Sequence, residues 1–183
     1  KPGTPSLDDV RPGKPDIIKP AEVEVERIKT GDYPFWRYPF ESFNPVQSQV
    51  IPLQKVDRNM VIGANTSAGK TICAEILMDH VLAQPTCNRV LYASPLKSLT
   101  QEKYSDWQKR FPSEEITILT GDYTLSDAMK EKLSKSRIIV LTSEMLDSRT
   151  RRMHTEKNFW LMEIGIVVVD ESHILSTSRG HAV

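Results

Sequence analysis

Five short runs of apolar residues recur along the chain, and each predicts a β-strand. The runs are Met60–Ile62, Val90–Ala93, Ile116–Leu119, Ile138–Leu141 and Ile166–Val169. They are rich in β-branched residues, and polar positions do not alternate with the apolar ones. This pattern is typical of strands that are buried on both faces of a parallel sheet.

Amphipathic stretches between these runs predict helices. Two stretches carry apolar residues on one face: Thr71–Leu82 with Ile72, Ile76, Leu77 and Val81, and Leu96–Phe111 with Leu99, Trp107 and Phe111. Strands that alternate with helices predict an α/β fold with a doubly wound, mostly parallel sheet flanked by helices. Ligands of such sheets bind at the carboxyl ends of the strands, so candidate chemistry is expected there.

The first part of the chain has a different composition. Eight of the 12 prolines lie within residues 1–45, which predicts an extended Pro-rich segment over residues 1–40 and a folded domain over 41–183. The aromatic stretch Tyr33–Phe40 is expected to form a strap on the domain edge, with a peptide-binding patch as the alternative. Because the chain starts at Lys1 and not at methionine, we expect a fragment or a processed chain.

Charge and hydropathy narrow the function classes. The 24 basic and 24 acidic residues balance, so any nucleic-acid binding must depend on local sites and not on bulk attraction. No apolar run reaches the roughly 20 residues of a membrane span, and no signal peptide is recognisable. Cys73 and Cys87 lack metal-ligand spacing and read as ordinary thiols, or as a chance disulfide, so a cytoplasmic location is expected.

A candidate phosphate loop follows the first apolar run. Small residues lead from Gly63 to Gly69-Lys70-Thr71 at the start of a predicted helix. Small side chains let backbone N–H groups surround phosphate oxygens, Lys70 would reach the β- and γ-phosphates, and Thr71 would coordinate Mg²⁺. Ala64 stands where the usual pattern has its first glycine. The predicted ATP-binding residues of the loop are Asn65, Thr66, Ser67, Ala68, Gly69, Lys70 and Thr71.

An acidic box follows the last apolar run, at Asp170-Glu171-Ser172-His173. Asp170 would hold Mg²⁺ opposite Thr71, and Glu171 would activate the attacking water as general base. His173 is counted among the ATP-binding residues. Taken alone, the acidic pair could simply cap a helix. Together with the loop, it predicts a Mg-ATPase whose catalytic residues are Lys70, Asp170 and Glu171.

In this order the motifs resemble the first RecA-like motor domain of a superfamily 2 DExH-box helicase, from about Phe43 to the end. The nearest branch holds archaeal DNA-repair helicases and exosome-associated, Ski-type RNA helicases. The resemblance implies that Gln47 reads the adenine edge, and the branch's form of the loop accommodates Ala64. Asn65 replaces the branch's usual proline, and Ser172 its usual valine or isoleucine.

Three further segments are similar to the family's nucleic-acid motifs. They are Ser94–Leu99 (motif Ia), Thr120-Gly121-Asp122 (motif Ib) and Thr142-Ser143-Glu144. The resemblance implies that Pro95, Lys97, Thr120, Gly121, Thr142 and Ser143 contact the sugar-phosphate backbone of a single strand, which carries no base information. The alternatives stay open: Pro95 as a turn, Ser143 as a helix cap and Lys97 as a solvated charge. The cluster at Arg149, Arg151, Arg152 and His154 is interpreted as a solvated helix face.

The resulting hypothesis is an ATP- and Mg²⁺-dependent helicase or translocase, of the 3'-5' type by resemblance, with DNA preferred over RNA. The family completes its site with an arginine from a second motor domain. The chain ends at Val183, thirteen residues after Asp170, so weak hydrolysis is expected of it alone. The GTPase signature Asn-Lys-x-Asp and the ABC signature Leu-Ser-Gly-Gly are absent, and a small-molecule kinase would not need Glu171. The alternative from another class is a nucleotide-gated binding module without catalysis.

Overall fold

The computed structural model describes residues 26–32, 38–55, 58–65, 68–86, 88–110, 116–121 and 126–172, with only the backbone at 156 and 157. The helices are α1 (Pro45–Val50), α2 (Lys70–Leu82), α3 (Lys97–Arg110), α4 (Asp127–Lys135) and α5 (Ser143–Thr150). The strands are β1 (Arg89–Ser94), β2 (Ile116–Leu119), β3 (Ile138–Thr142) and β4 (Ile164–Val169). Short 3-10 helices cover Thr30–Asp32, Ile51–Lys55 and Glu156–Glu163.

The four strands form one parallel sheet in the order β2-β3-β1-β4. Parallel strands require crossovers. Helix α3 lies between β1 and β2, α4 between β2 and β3, and α5 between β3 and β4. The register pairs Ser94 of β1 with Thr142 of β3, and Ala93 with Val169 of β4. The strands therefore end level with one another. The predicted α/β fold with a parallel sheet flanked by helices is confirmed.

Side chains of β1 and β3 alternate between two apolar cores, because successive residues of a strand point to opposite faces. One core contains Val90, Tyr92, Ile138 and Val140 packed with Met78, Leu82, Trp107 and Ile116. The other contains Leu91, Ala93, Ile139 and Leu141 packed with Leu119, Leu133, Met145 and Leu146. The expected burial on both faces is thus confirmed for these two central strands.

Helix α2 is buried on more than the predicted face. Ile76 is fully buried, whereas Ile72, Leu77 and Val81 are only partly buried. The acidic residues Glu75 and Asp79 are also buried. The helix lies between the sheet and α1, so polar positions that a lone amphipathic helix would expose are enclosed here.

Two residues of α3, Trp107 and Arg110, stabilise the buried carboxylate of Glu75 on α2. The Trp107 Nε1–H donates to Glu75 Oε1 at 2.8 Å, and Arg110 forms an ion pair with the same oxygen. Burial nevertheless raises the pKa of Glu75, against the opposing effect of Arg110. These two contacts hold α2 against α3, because a carboxylate buried this deeply is tolerated only when such partners compensate its charge.

Two sequence-based predictions about strands are wrong. Met60–Ile62 does not form a strand: it has no ladder partner among the described residues, and Val61 is 73% exposed. A strand persists only where its N–H and C=O groups are paired. β4 is not buried on both faces either, since Val167 is 49% exposed. The cause is its position at the edge of the described sheet.

The described part of the N-terminal segment is hydrogen-bonded to the domain. Thr30 N–H donates to the Glu41 carbonyl at 3.0 Å, and Phe43 N–H donates to Ile28 at 2.9 Å. Tyr38, Phe40 and Phe43 form an aromatic cluster, with ring centroids 5.0 to 5.8 Å apart. Residues 1–25 of the predicted N-terminal segment, most of the strap (33–37) and Cys87 lie outside the described residues.

Two other sequence-based expectations concern the cysteine thiols and membrane-spanning helices. Cys73 is a free, buried thiol, and burial raises its pKa to about 11, so it stays protonated. Among the described residues, none of the helices combines the length and the apolar composition that a bilayer crossing requires.

Asp79 provides a test of the buried polar face of α2. Burial raises its pKa to about 6 from 3.8, so folding penalises the ionised form and this group lowers stability as the pH rises from about 4 to 6. Asp79→Asn should therefore raise the free energy of unfolding at pH 8, by about 1–2 kcal/mol after allowance for solvent screening, and change it little near pH 3.5.

Denaturant unfolding at the two pH values measures this difference. Glu131→Gln is the control, because Lys135 lowers the pKa of that exposed carboxyl and its pH dependence has the opposite sign. Equal effects of Asp79→Asn at both pH values would contradict the assignment. Some slope should remain in the variant, since the pKa of Glu75 is raised as well.

Candidate nucleotide-binding site

The phosphate loop enters α2 through a glycine in the left-handed conformation. Gly69 is the N-cap, with φ 71° and ψ 43°, a conformation that is unfavourable for residues with a Cβ. It provides no side-chain hydrogen bond to the first turn. The amino end of α2 therefore presents backbone N–H groups and a positive dipole end, the combination that binds phosphate.

Lys70 and Thr71 occupy the first turn of α2. Lys70 Nζ donates to the Ala64 carbonyl oxygen at 2.9 Å, which holds the ammonium group against the loop. Among the residues that the structure describes, no carboxylate pairs with this ammonium group. Thr71 is half-buried. Both residues thus lie at the amino end of α2, and their roles in binding phosphate and Mg²⁺ stay predictions.

Helix α1 contacts the loop directly. Asn44 and Gln47 form a capping box, in which each side chain bonds the other residue's backbone N–H. Asn44 Nδ2 also donates to the Ala68 carbonyl at 3.1 Å. A Cβ on Gly69 would lie 2.5 Å from Gln47 Nε2. The Gln47 carboxamide therefore packs on the loop, and its reading of adenine stays a prediction.

The acidic box begins where β4 ends. The Asp170 N–H donates to the Ala93 carbonyl at 2.9 Å, which sets Asp170 level with the end of β1. Both carboxylate oxygens are held: Oδ1 accepts the Glu171 N–H at 2.9 Å, and Oδ2 accepts the Tyr92 hydroxyl. Burial, then the contact with Asp170, raises the pKa of Tyr92 far above its ordinary value, so the phenol is the donor.

Glu171 has an unusual backbone conformation. Its φ is 51°, the one positive value at a non-glycine residue in the described chain. Such a conformation costs on the order of 1 kcal/mol and recurs at functional sites, where the surrounding structure enforces it. It directs the chain away from the β4 axis directly after Asp170. No pattern in the sequence indicates it.

The predicted nucleic-acid segments follow three neighbouring strands. In spatial order along the sheet edge they are Thr120-Gly121 after β2, Thr142-Ser143 at the end of β3, and Pro95 to Lys97 after β1. Asp170 follows β4 at the same edge. The parallel register thus brings together segments that are up to 75 residues apart in sequence.

Within this edge the side chains differ in exposure. Lys97 is exposed at the first turn of α3. Thr142 and Ser143 are buried, and Thr142 Oγ1 accepts the Met145 N–H as the N-cap of α5. The capping role considered for Ser143 therefore belongs to its neighbour. Arg151 forms an exposed ion pair with Asp147, as a solvated helix face would.

Three predicted site residues lie outside the described residues, and two residues that contact the site were not predicted from the sequence. Thr66, Ser67 and His173 are among the residues that the structure does not describe. Tyr92 and Asn44 contact the site but were not predicted as site residues. Tyr92 reads as one more apolar strand residue, and no local signal links it to Asp170, 78 residues later.

ATP with Mg²⁺ fits these residues. A cationic side chain and an uncapped helix end suit the phosphates. A threonine hydroxyl and an aspartate carboxylate are hard oxygen donors, which Mg²⁺ prefers. The Asp170 carboxylate retains lone pairs for such a ligand, because each oxygen accepts one hydrogen bond that the structure records.

Gly69 is the sharpest test of the loop. Gly69→Ala places a Cβ at φ 71° and displaces the Gln47 carboxamide, so we expect about 1 kcal/mol of destabilisation and a loss of nucleotide affinity of tenfold or more. Gly63→Ala is the matched control, since its Cβ would meet nothing within 4 Å. Titration of a fluorescent nucleotide measures both. Equal affinities of the two variants would contradict the assigned geometry.

Curated proteins resemble the chain over most of its length. It is 32% identical over 183 residues to the DExH-box ATP-dependent RNA helicase DExH13 of Arabidopsis thaliana, covering 97% of this chain and 8% of that protein. It is 36% identical over 148 residues to the human U5 small nuclear ribonucleoprotein 200 kDa helicase, covering 79% of this chain and 7% of that protein. The chain therefore spans less than a tenth of these relatives' length.

Solved structures share the fold. The DUF1998 helicase MrfA bound to DNA and AMPPNP aligns with a TM-score of 0.62 and 24% identity, over 75% of this chain and 20% of that one. The UvsW helicase from bacteriophage T4 aligns with a TM-score of 0.59 and 17% identity, over 81% and 50%. These likenesses confirm the RecA-like fold. The profile of the DEAD/DEAH box helicases matches residues 44–183, and the chain belongs to that family.

Proposed function

We propose that this chain is the ATP-binding motor domain of a helicase or translocase that couples ATP hydrolysis to movement along a single strand of nucleic acid. The observation that supports this best is the common edge of the sheet. There the acidic box after β4 lies next to the segment that follows β1, and the segments that follow β3 and β2 come next along the same edge. In this proposal, the common edge couples the site of hydrolysis to the segments that hold the strand.

Each residue of the ATP site has a distinct role in the proposal. Lys70 binds the β- and γ-phosphates, and the amino end of α2 adds backbone donors. Thr71 and Asp170 hold Mg²⁺, which when bound neutralises developing charge on the phosphates. Glu171 accepts a proton from the attacking water. Gln47 recognises the adenine edge from α1, beside the loop it packs on.

The track contacts are proposed for Pro95, Lys97, Thr120, Gly121, Thr142 and Ser143. Lys97 is the exposed cation of this set. Thr142 and Ser143 are buried, so α5 would contribute its first-turn N–H groups more than its hydroxyls. Contacts of this kind bind the sugar-phosphate backbone of any sequence.

DNA and RNA are the two candidates for the strand along which the motor moves. The similarity of Lys97–Tyr104 and Thr120–Tyr123 to repair helicases supports DNA and, with it, the archaeal repair and Ski-type branch and 3'-5' movement. The Arabidopsis relative at 32% identity carries the name of an RNA helicase, which supports RNA as the second candidate.

We further propose that residues 41–183 form the motor domain, with 1–40 as an extended N-terminal segment. A second motor domain in the full-length protein would supply the arginine that completes the site. The chain alone should then bind nucleotide weakly and hydrolyse it poorly.

Glu171→Gln tests the catalytic role in the full-length protein. Removing a general base should lower the ATPase kcat by at least about a hundredfold, with ATP affinity retained. Steady-state hydrolysis and equilibrium nucleotide binding measure the two quantities. Glu131→Gln, at an exposed carboxylate on α4, should leave both unchanged. Normal turnover of Glu171→Gln would favour a binding module without its own catalysis.

The polymer preference is tested by ATPase assays with single-stranded DNA, single-stranded RNA or neither. Stimulation by one polymer identifies the track. Lys97→Ala should then raise the polymer concentration for half-maximal stimulation several-fold. It should also make the dependence of polymer binding on salt concentration less steep, because one phosphate contact is lost. Lys109→Ala, at an exposed lysine in the last turn of the same helix, is the matched control. Equal behaviour of the two variants would remove Lys97 from the track.

A further inference from the structure

Tyr92 is a core residue whose polar end reaches the candidate active site. It lies on β1, which pairs with β3 on one side and β4 on the other, and the residue is 1% exposed. Its hydroxyl donates to Asp170 Oδ2. Because Oδ1 accepts the Glu171 N–H, the carboxylate is oriented by one hydrogen bond on each oxygen.

The Tyr92 ring is fixed by a chain of contacts outside the site. The Trp107 ring meets it edge to face, with centroids 4.9 Å apart and an interplanar angle of 79°. Trp107 is anchored in turn by its hydrogen bond to Glu75 at 2.8 Å, and Arg110 binds the same carboxylate. Aromatic pairs of this geometry are attractive beyond their buried area.

Packing explains the ring but not the hydroxyl. A phenylalanine would fill the same space against Trp107, and it would avoid burying a polar group, which is unfavourable unless a partner compensates. The partner that the structure gives this hydroxyl is the carboxylate at the end of β4. The polar atom of Tyr92 is therefore directed at Asp170 and at nothing in the apolar core.

We propose that Tyr92 is the positioning residue of Asp170, holding the carboxylate in the orientation that binds the divalent metal of the nucleotide complex. This inference rests on the proposed function, because it gives Asp170 the metal. Residues that orient a metal ligand typically contribute about ten- to a hundredfold to metal affinity. Tyr92 itself touches neither nucleotide nor metal in this role.

Tyr92→Phe removes the hydroxyl and keeps the ring. In the full-length protein, Mn²⁺ serves as the spectroscopic probe, and electron paramagnetic resonance titration of the ADP complex gives its affinity. We expect Mn²⁺ binding to weaken at least tenfold, whereas ADP affinity in excess chelator and the midpoint of thermal unfolding stay close to those of the unaltered protein.

Tyr104→Phe is the matched control. Its hydroxyl accepts from Gln108 at 2.7 Å and from Lys132, and the structure records no hydrogen bond between it and Asp170. It should leave Mn²⁺ affinity unchanged. In an Asp170→Asn background, Tyr92→Phe should cause no further loss of Mn²⁺ affinity, because the residue acts through that carboxylate.

The outcomes separate this inference from the function on which it rests. Unchanged Mn²⁺ affinity in Tyr92→Phe, with normal ADP binding, overturns the positioning role and leaves the ATP site intact. The positioning role is also overturned if Tyr92→Phe lowers three quantities to the same extent: Mn²⁺ affinity, ADP affinity in excess chelator, and the midpoint of thermal unfolding. Such a result would indicate that Tyr92 has a packing role only. Failure of the unaltered protein to bind ADP at all, with or without Mn²⁺, overturns both.

Discussion

The hydrogen bond from the Asp170 N–H to the Ala93 carbonyl carries the β1–β4 ladder one residue past the end of β4. It fixes where the acidic box lies relative to β1, and hence relative to every segment that leaves the sheet at that edge. β1 is the strand that makes this arrangement possible, because it pairs on both sides. A slip of one residue in this register would turn Tyr92 from one core into the other and remove its hydroxyl from Asp170.

A buried polar interaction between α2 and α3 adds to the order that the sheet imposes. Glu75 on α2 holds Trp107 and Arg110 of α3, so the helix that begins at Lys70 and the helix that begins at Lys97 are joined by a buried ionic contact. Apolar packing alone tolerates small displacements between helices, whereas a buried carboxylate is satisfied only in a narrow geometry. The same tryptophan buttresses the Tyr92 ring. A single side chain thus links α2, α3 and the central strand.

The sequence was informative where the signal is local. The predicted helix Thr71–Leu82 differs from α2 by one residue, and the runs at 90–93, 116–119, 138–141 and 166–169 all fall within observed strands. α4 was not predicted, although Ser126 caps it, because its sequence is mostly polar and exposed. The loop and the acidic box stand out because small residues and adjacent carboxylates follow apolar runs.

What the sequence could not indicate depends on partners distant along the chain. Nothing near Glu75 signals that an arginine 35 positions later will bury it. Met60–Ile62 has the composition of a strand, but composition does not supply the neighbour that a strand requires. The positive φ of Glu171 is likewise imposed by its surroundings, since glutamate has no intrinsic preference for it.

The outer edge of β4 has a practical consequence for handling the protein. Within the described residues this edge is not hydrogen-bonded to another strand, and Val167 beside it is half-exposed. In general, a sheet edge with an exposed valine beside it is a template onto which another chain can add a strand. For work with this chain, β4 is therefore the edge to protect against strand addition, and Val167→Lys would place a charge beside it.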